Sequence, residues 1–214
     1  DASYSIKVTC NVSPYYTKGD YLDRALYYSI SGTTINSDEA EIISLTQHNI
    51  NNIHFRLIKA PRTISGRISL PKNETASTGG IKIRVTASDS YKYVTILQGR
   101  KWVDYAIGVT ENLPEEGYVL SHSICTNQYD TNISRYLAND EIYYSDNGMM
   151  LDADEATAVD VVGGSVVKNM MVVVAPRTIS GTVSLPSGKI AGNGGVPVMI
   201  YANDYSRYIT IPKG

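Results

Sequence analysis

A twelve-residue phrase occurs twice in this chain, and that repetition constrains the fold more than any other feature. APRTISGRISLP at 60–71 returns as APRTISGTVSLP at 175–186, a shift of 115 residues. The match continues downstream: Gly79-Gly80-Ile81 returns as Gly194-Gly195-Val196, and Tyr93-Val94-Thr95-Ile96 as Tyr208-Ile209-Thr210-Ile211. Upstream, Tyr27-Tyr28-Ser29, Gly32 and Asp38-Glu39-Ala40 return as Tyr143-Tyr144-Ser145, Gly148 and Asp154-Glu155-Ala156 at a shift of 116, so a one-residue gap separates the blocks. Solenoid turns repeat every ~20–50 residues, whereas a period near 115 is the length of a whole domain. The sequence therefore predicts domains in series: the C-terminal part of one at 1–61, a complete one at 62–176, and the N-terminal part of the next at 177–214. On this reading the chain starts and stops mid-domain, and its two partial pieces together supply nearly one more copy.

Within 62–176, alternation at period two between Gly, Pro, Asn and Asp turns predicts strands. Ile64, Gly66, Ile68 and Leu70 form one such run, ended by Pro71. Ile81, Ile83, Val85 and Ala87 share a face, and the second copy repeats it as Val196, Val198, Ile200 and Ala202. Further strands are expected at 93–97, 103–109, 118–125, 156–162 and 168–174, with the polar stretch 126–140 read as either a helical turn or a loop. Seven short strands in roughly 115 residues fit an all-β, immunoglobulin-like Greek-key sandwich. The last strand runs almost directly into Pro176-Arg177-Thr178-Ile179, and so short a connector favours a stiff rod of domains.

The stretch ISGTVSLPSGKIAGNGGVPVMIYA, followed by YITIPKG, resembles the carboxypeptidase-regulatory-like or transthyretin-like β-sandwich repeats of bacterial secreted and surface proteins. The resemblance extends through all three copies and rests on turn glycines and strand apolar residues. It implies an extracellular spacer, adhesin stalk or filament, and carries no catalytic residue with it.

Composition narrows the partners. A hydrophobic fraction of 43% suffices for packed cores, and a net charge of −2 with 19% charged residues gives no field that would attract nucleic acid. The longest apolar run, 170–175, falls well short of the roughly 18 residues of a membrane span, so membrane insertion is not expected. The aromatic set is lopsided, with 17 Tyr against one Trp and one Phe, which suits half-exposed strand faces.

Catalytic machinery should surface as His, Cys or paired carboxylates in a workable arrangement. His48, His54 and His122 match no histidine in the other copy and are expected on the surface or in loops. No phosphate loop, nucleophile elbow or zinc-type Cys pair occurs, so the chain reads as a non-enzyme. No Lys recurs at equivalent positions, which argues against a Lys–Asn or Lys–Asp crosslink common to every copy.

Three candidate sites remain. Asp152, Asp154 and Glu155, with Asp140, Glu141 and Asp146 near in sequence, offer oxygen ligands of the kind calcium takes, although the spacing is not that of an EF-hand. Solvated carboxylates are the plainer reading. Cys10 and Cys125 lie 115 residues apart, one per domain; each is either a small buried hydrophobe or half of a disulfide to a neighbouring chain. Aligning Tyr4 with Tyr118 instead would put the two thiols on opposite faces. Tyr27, Tyr28, Tyr143, Tyr144 and Trp102 could stack on sugars, which makes a carbohydrate-binding module with surface glycans as partners the alternative function. Three Asn-x-Ser/Thr sites, at Asn11, Asn73 and Asn132, are as many as this much Ser and Thr produces by chance. The leading expectation is an extracellular or cell-surface structural repeat whose partner is itself, as adjacent copies or as a head-to-tail homopolymer completing split domains.

Overall fold

A computed structural model of the chain describes residues 2–9, 21–45, 50–111, 117–125, 136–137, 140–177, 181–202 and 205–214. Cys10, His48, Asn11, Asn132 and most of the polar stretch 126–140 lie outside them. The chain is all-β: among the described residues, helix is confined to three-residue 3-10 turns. The first segment holds β1 (Ala2–Ser5), β2 (Lys7–Thr9), β3 (Ala25–Ser29), β4 (Gly32–Thr34) and β5 (Ile42–Leu45). Then follow β6 (Arg62–Ser69), β7 (Ile81–Ala87), β8 (Ser90–Ile96), β9 (Trp102–Val109), β10 (Leu120–Ile124), β11 (Ile142–Ser145), β12 (Gly148–Met150), β13 (Val166–Val167) and β14 (Met170–Met171). The last segment holds β15 (Val196–Ala202) and β16 (Tyr205–Ile211).

Between residues 62 and 176 the strands form two sheets. One has the order β12-β11-β10-β7-β8; in the other β6 is central, pairing antiparallel with β9 and parallel with β13 and β14. The alternation seen in sequence sets which side chains meet between them. Ile64 and Ile68 of β6 with Tyr105 and Ile107 of β9 face Ile81, Ile83 and Val85 of β7, Val94 and Ile96 of β8, and Leu120 and Ile124 of β10 in one buried cluster. A two-sheet, sandwich-like packing around a single apolar core follows from that pattern.

Two expected strands take a different form. Residues 156–162 make one isolated bridge, Val159 to Tyr118, because the chain there leaves a 3-10 turn at Ala153–Glu155 and reaches a further turn near Gly164. The run 168–174 is broken at its start. Asn169 uses its side-chain oxygen to accept from the N–H of Arg67 at 3.0 Å, and the carbonyl of Lys168 turns to accept from the Tyr105 hydroxyl at 2.6 Å. The strand expected over 168–174 is therefore reduced to β14 and a single bridge at Val174, with the short β13 on the far side of a kink.

The pairing in residues 2–59 repeats that in residues 117–174. Tyr4 pairs with Ile43 as Tyr118 does with Val159; Lys7 pairs with Tyr27 as Ser121 does with Tyr143. Tyr21 bridges Lys59 as Tyr136 bridges Val174. Likewise, the β15–β16 ladder reproduces the β7–β8 register, with Val196 opposite Ile211 as Ile81 is opposite Ile96. Gly80 and Gly195 hold the same left-handed backbone, and a Cβ there would lie 2.7 and 2.8 Å from the carbonyl oxygens of Ile96 and Ile211. Only glycine fits that approach.

Candidate functional site

The acidic residues 152–155 form a small capped turn. Asp152 precedes the 3-10 turn Ala153–Glu155, and its carboxylate accepts from the N–H of Asp154 at 3.0 Å. Asn36 does the same for Asp38 at the matching place, also at 3.0 Å. A side-chain oxygen that satisfies an orphan N–H is the ordinary work of a cap. Among the described residues no three His, Cys, Asp or Glu side chains are gathered to hold a metal ion.

The aromatic candidates are spread over different elements. Trp102 opens β9 and is half-exposed, but one ring face carries the Arg67 guanidinium 3.6 Å from its centroid. Tyr143 and Tyr144 lie on β11 in the other sheet. The Tyr144 hydroxyl donates to Asp146 at 2.7 Å and accepts from the Lys168 ammonium at 3.1 Å, while that ammonium also sits over its ring. The Tyr144 hydroxyl bond and then Lys168 hold Asp146 below its usual range; the same hydroxyl is the main cause that raises Lys168. Burial pushes the Tyr143 hydroxyl up, assisted by Glu141 and Asp152. In the first segment, Tyr28 meets Phe55 edge-on at 6.2 Å, and Tyr27 pairs across β2–β3–β4. Tyr143 and Tyr144 are thus neighbours, as are Tyr27 and Tyr28, while Trp102 joins neither pair.

Cys125 is a free, partly buried thiol just past β10, raised above its ordinary range chiefly by burial. Strand pairing also refines how it relates to Cys10. The partners Lys7–Tyr27 and Ser121–Tyr143 fix a shift of 114 for this strand, and continuing that shift aligns Cys10 with Ile124. The alignment through Tyr4 and Tyr118 is the one the ladders follow. His54 is exposed as expected, but His122 is not a surface residue. It is 1% exposed in β10, on the core face beside Leu120 and Ile124.

Repeat arithmetic gave no sign of the contact that joins the first segment to β9. Leu22 makes a parallel bridge to Gly108, and the Asp23 N–H donates to the Gly108 carbonyl at 3.2 Å. The Asp23 carboxylate accepts from the Gly108 N–H at 2.9 Å and lies 3.8 Å from the Lys92 ammonium, both side chains being almost wholly buried. Burial raises the Asp23 carboxyl above its usual range, opposed by the Gly108 bond and by Lys92. Lys92 also donates to the Ala106 carbonyl at 3.2 Å, and Arg24 pairs with Asp89 beside it. Because Lys59 is already bridged to Tyr21 and β6 starts at Arg62, the connection between the two segments is two residues long.

The remaining feature is a pair of open strand edges. β10 is flanked by β11 and β7, whereas β2 pairs with β3 alone and β15 with β16 alone among the described residues. Residues 181–184, which repeat the second half of β6, carry no strand. No family model, curated protein or solved structure matches the chain.

Proposed function

We propose that this chain is an extracellular structural repeat, a section of a stalk, adhesin or filament built from immunoglobulin-like Greek-key sandwich domains of about 115 residues, and not an enzyme. The domains are those read from the sequence, with 62–176 as the complete copy between the partial copies 1–61 and 177–214. The observation that carries the reading is the recurrence of pairing: bridges, caps and turn glycines of residues 2–59 and 194–211 reappear at the matching places of 79–174. Repetition of a whole domain adds length and stiffness, and a two-residue connection reinforced by the Asp23–Lys92 contact suits a rod. The family resemblance to transthyretin-like repeats of surface proteins points the same way.

Surface labelling tests it. Antibody raised against the chain should bind intact source cells or their secreted material; label that appears only after permeabilisation overturns the reading. A carbohydrate-binding role draws its one support from the half-exposed Trp102 at the start of β9, a strand whose Asp104 and Tyr105 line a cleft together with Arg67 and Asn169. A glycan array with signal lost in Trp102→Ala would favour that alternative.

A further inference from the structure

We propose that the outer face of β6 and β9 binds a neutral saccharide, with Asn169, Arg67 and Asp104 holding its hydroxyl groups and Trp102 taking an apolar C–H face. The proposal rests on the carbohydrate alternative above, to which it gives a site and a ligand class, and it is independent of the structural-repeat reading.

Strand register lays this surface out in three rows. Ile64 and Ile68 point into the core, so Ser65, Arg67 and Ser69 point outward, as do their partners Ala106, Asp104 and Trp102 on β9. On the other flank of β6, Val167 stands beside Ser65 and Met171 beside Ser69, while Asn169 lies next to Arg67 through its bond to the Arg67 N–H. Successive rows are about 7 Å apart. The middle row is polar, and the two outer rows carry Val167, Met171 and Trp102, which are 71%, 47% and 44% exposed. The first two rows line a cleft of about 540 Å³ at the break between β13 and β14, within the range of ~300–1,000 Å³ typical of small-molecule sites.

The chemistry of the middle row selects the ligand. Arg67 and Asp104 are paired at 3.1 Å, so the row is neutral overall. An anion would meet the Asp104 carboxylate and a cation the Arg67 guanidinium, whereas a hydroxyl both donates and accepts and serves the two at once. Asn169 commits its side-chain oxygen to the Arg67 N–H at 3.0 Å, which leaves its NH2 as a further donor. The guanidinium is held from two sides, by Asp104 and by the Trp102 ring 3.6 Å away, so little ordering remains to be done when a ligand arrives. Beside these groups, the part of the half-exposed Trp102 ring that Arg67 leaves uncovered offers an apolar surface for a sugar ring.

Fold stability does not account for the row, since an exposed ion pair of this kind contributes little. Gly66, which admits the Lys168 carbonyl, returns as Gly181, but Arg67 and Asn169 stand where the repeat has Thr182 and His54. The framework recurs and the polar row does not, which is the distribution expected of a site grafted onto a scaffold.

The test uses the purified 214-residue chain, whose one tryptophan is Trp102, so that its fluorescence reports on this site alone. Titration with neutral gluco-, manno-, galacto- and xylo-oligosaccharides should give a saturable shift of emission to shorter wavelength with at least one of them, and a weaker response with anionic oligogalacturonate or cationic chitosan oligomers. By calorimetry, Arg67→Thr should weaken that sugar about tenfold or more, and Asn169→Asp, which keeps the oxygen that accepts from Arg67 and removes only the NH2, about fivefold. Both variants should melt near the parent. No saturable change with any neutral oligosaccharide, tighter binding of the charged oligomers, or both variants binding like the parent would each overturn the proposal. A glycan-array signal that persists in both variants removes this site and keeps the carbohydrate alternative, and surface labelling of cells tests the structural repeat separately.

Discussion

His122 sits in β10 opposite Val85 on one side and Ile142 on the other, with both ring nitrogens unpartnered. Burial lowers its pKa to about 4 from 6.5. The folded protein holds it neutral, so the stability it permits is present above the unfolded value and lost as pH falls from about 6.5 towards 4. The loss amounts to roughly 3 kcal/mol at most, at 1.36 kcal/mol per unit. His122→Val, which installs the residue found at Val8, should raise stability and flatten the urea midpoint across that window; an unchanged pH profile would refute this account. The alternation of Leu120, His122 and Ile124 puts the ring on the core face, a signal that the expectation of a surface histidine left unused. At the capped turn, Asp152→Ala should cost about 1 kcal/mol and Asp152→Asn almost nothing, since Asn36 does the same work in the other copy. Chemical denaturation of the two variants distinguishes a cap from any need for a carboxylate.

Among the elements, those with clean alternation were the ones legible in advance, whereas the recurring hairpins β3–β4 and β11–β12 were not among the expected strands. The strands now seen as β6, β7 and β9 were expected within two residues of their ends, because alternating Ile and Val fixed both their period and their buried face. The kink at Lys168-Asn169 was not legible. It depends on a side-chain acceptor replacing a backbone one across the sheet, and on a tyrosine hydroxyl from a third strand, neither of which leaves a periodic trace. Gly66 lies at the centre of that arrangement. Gly66→Ala should destabilise the chain by ~3 kcal/mol or more, because the obstacle is backbone and no side chain can turn aside. A melting temperature within experimental error of the parent would mean that β13 and β14 do not hold Lys168 where described. Of the candidate sites, the acidic residues 152–155 occupy a capped turn, and acid clusters at caps and at cation sites look alike in one dimension.

For the molecule as a whole, the contact of Asp23 with Gly108 and Lys92 joins residues 2–59 to residues 62–176, and it was invisible to sequence comparison because it runs between the two segments. Asp23→Ala should cost about 3–5 kcal/mol by leaving the Lys92 ammonium buried without its counter-charge, whereas Asp23→Leu with Lys92→Met should recover most of that. Denaturation of the full chain measures both; single and double variants of equal stability would remove the pair from the junction. Under the structural-repeat proposal, the placing of β6 beside β13 and β14 sets how a fibre of such units would resist tension. These are the first and last strands of residues 62–176, and they run parallel. Drawn apart from its two ends, the domain is loaded in shear along that seam, so its hydrogen bonds must fail together instead of unzipping one after another.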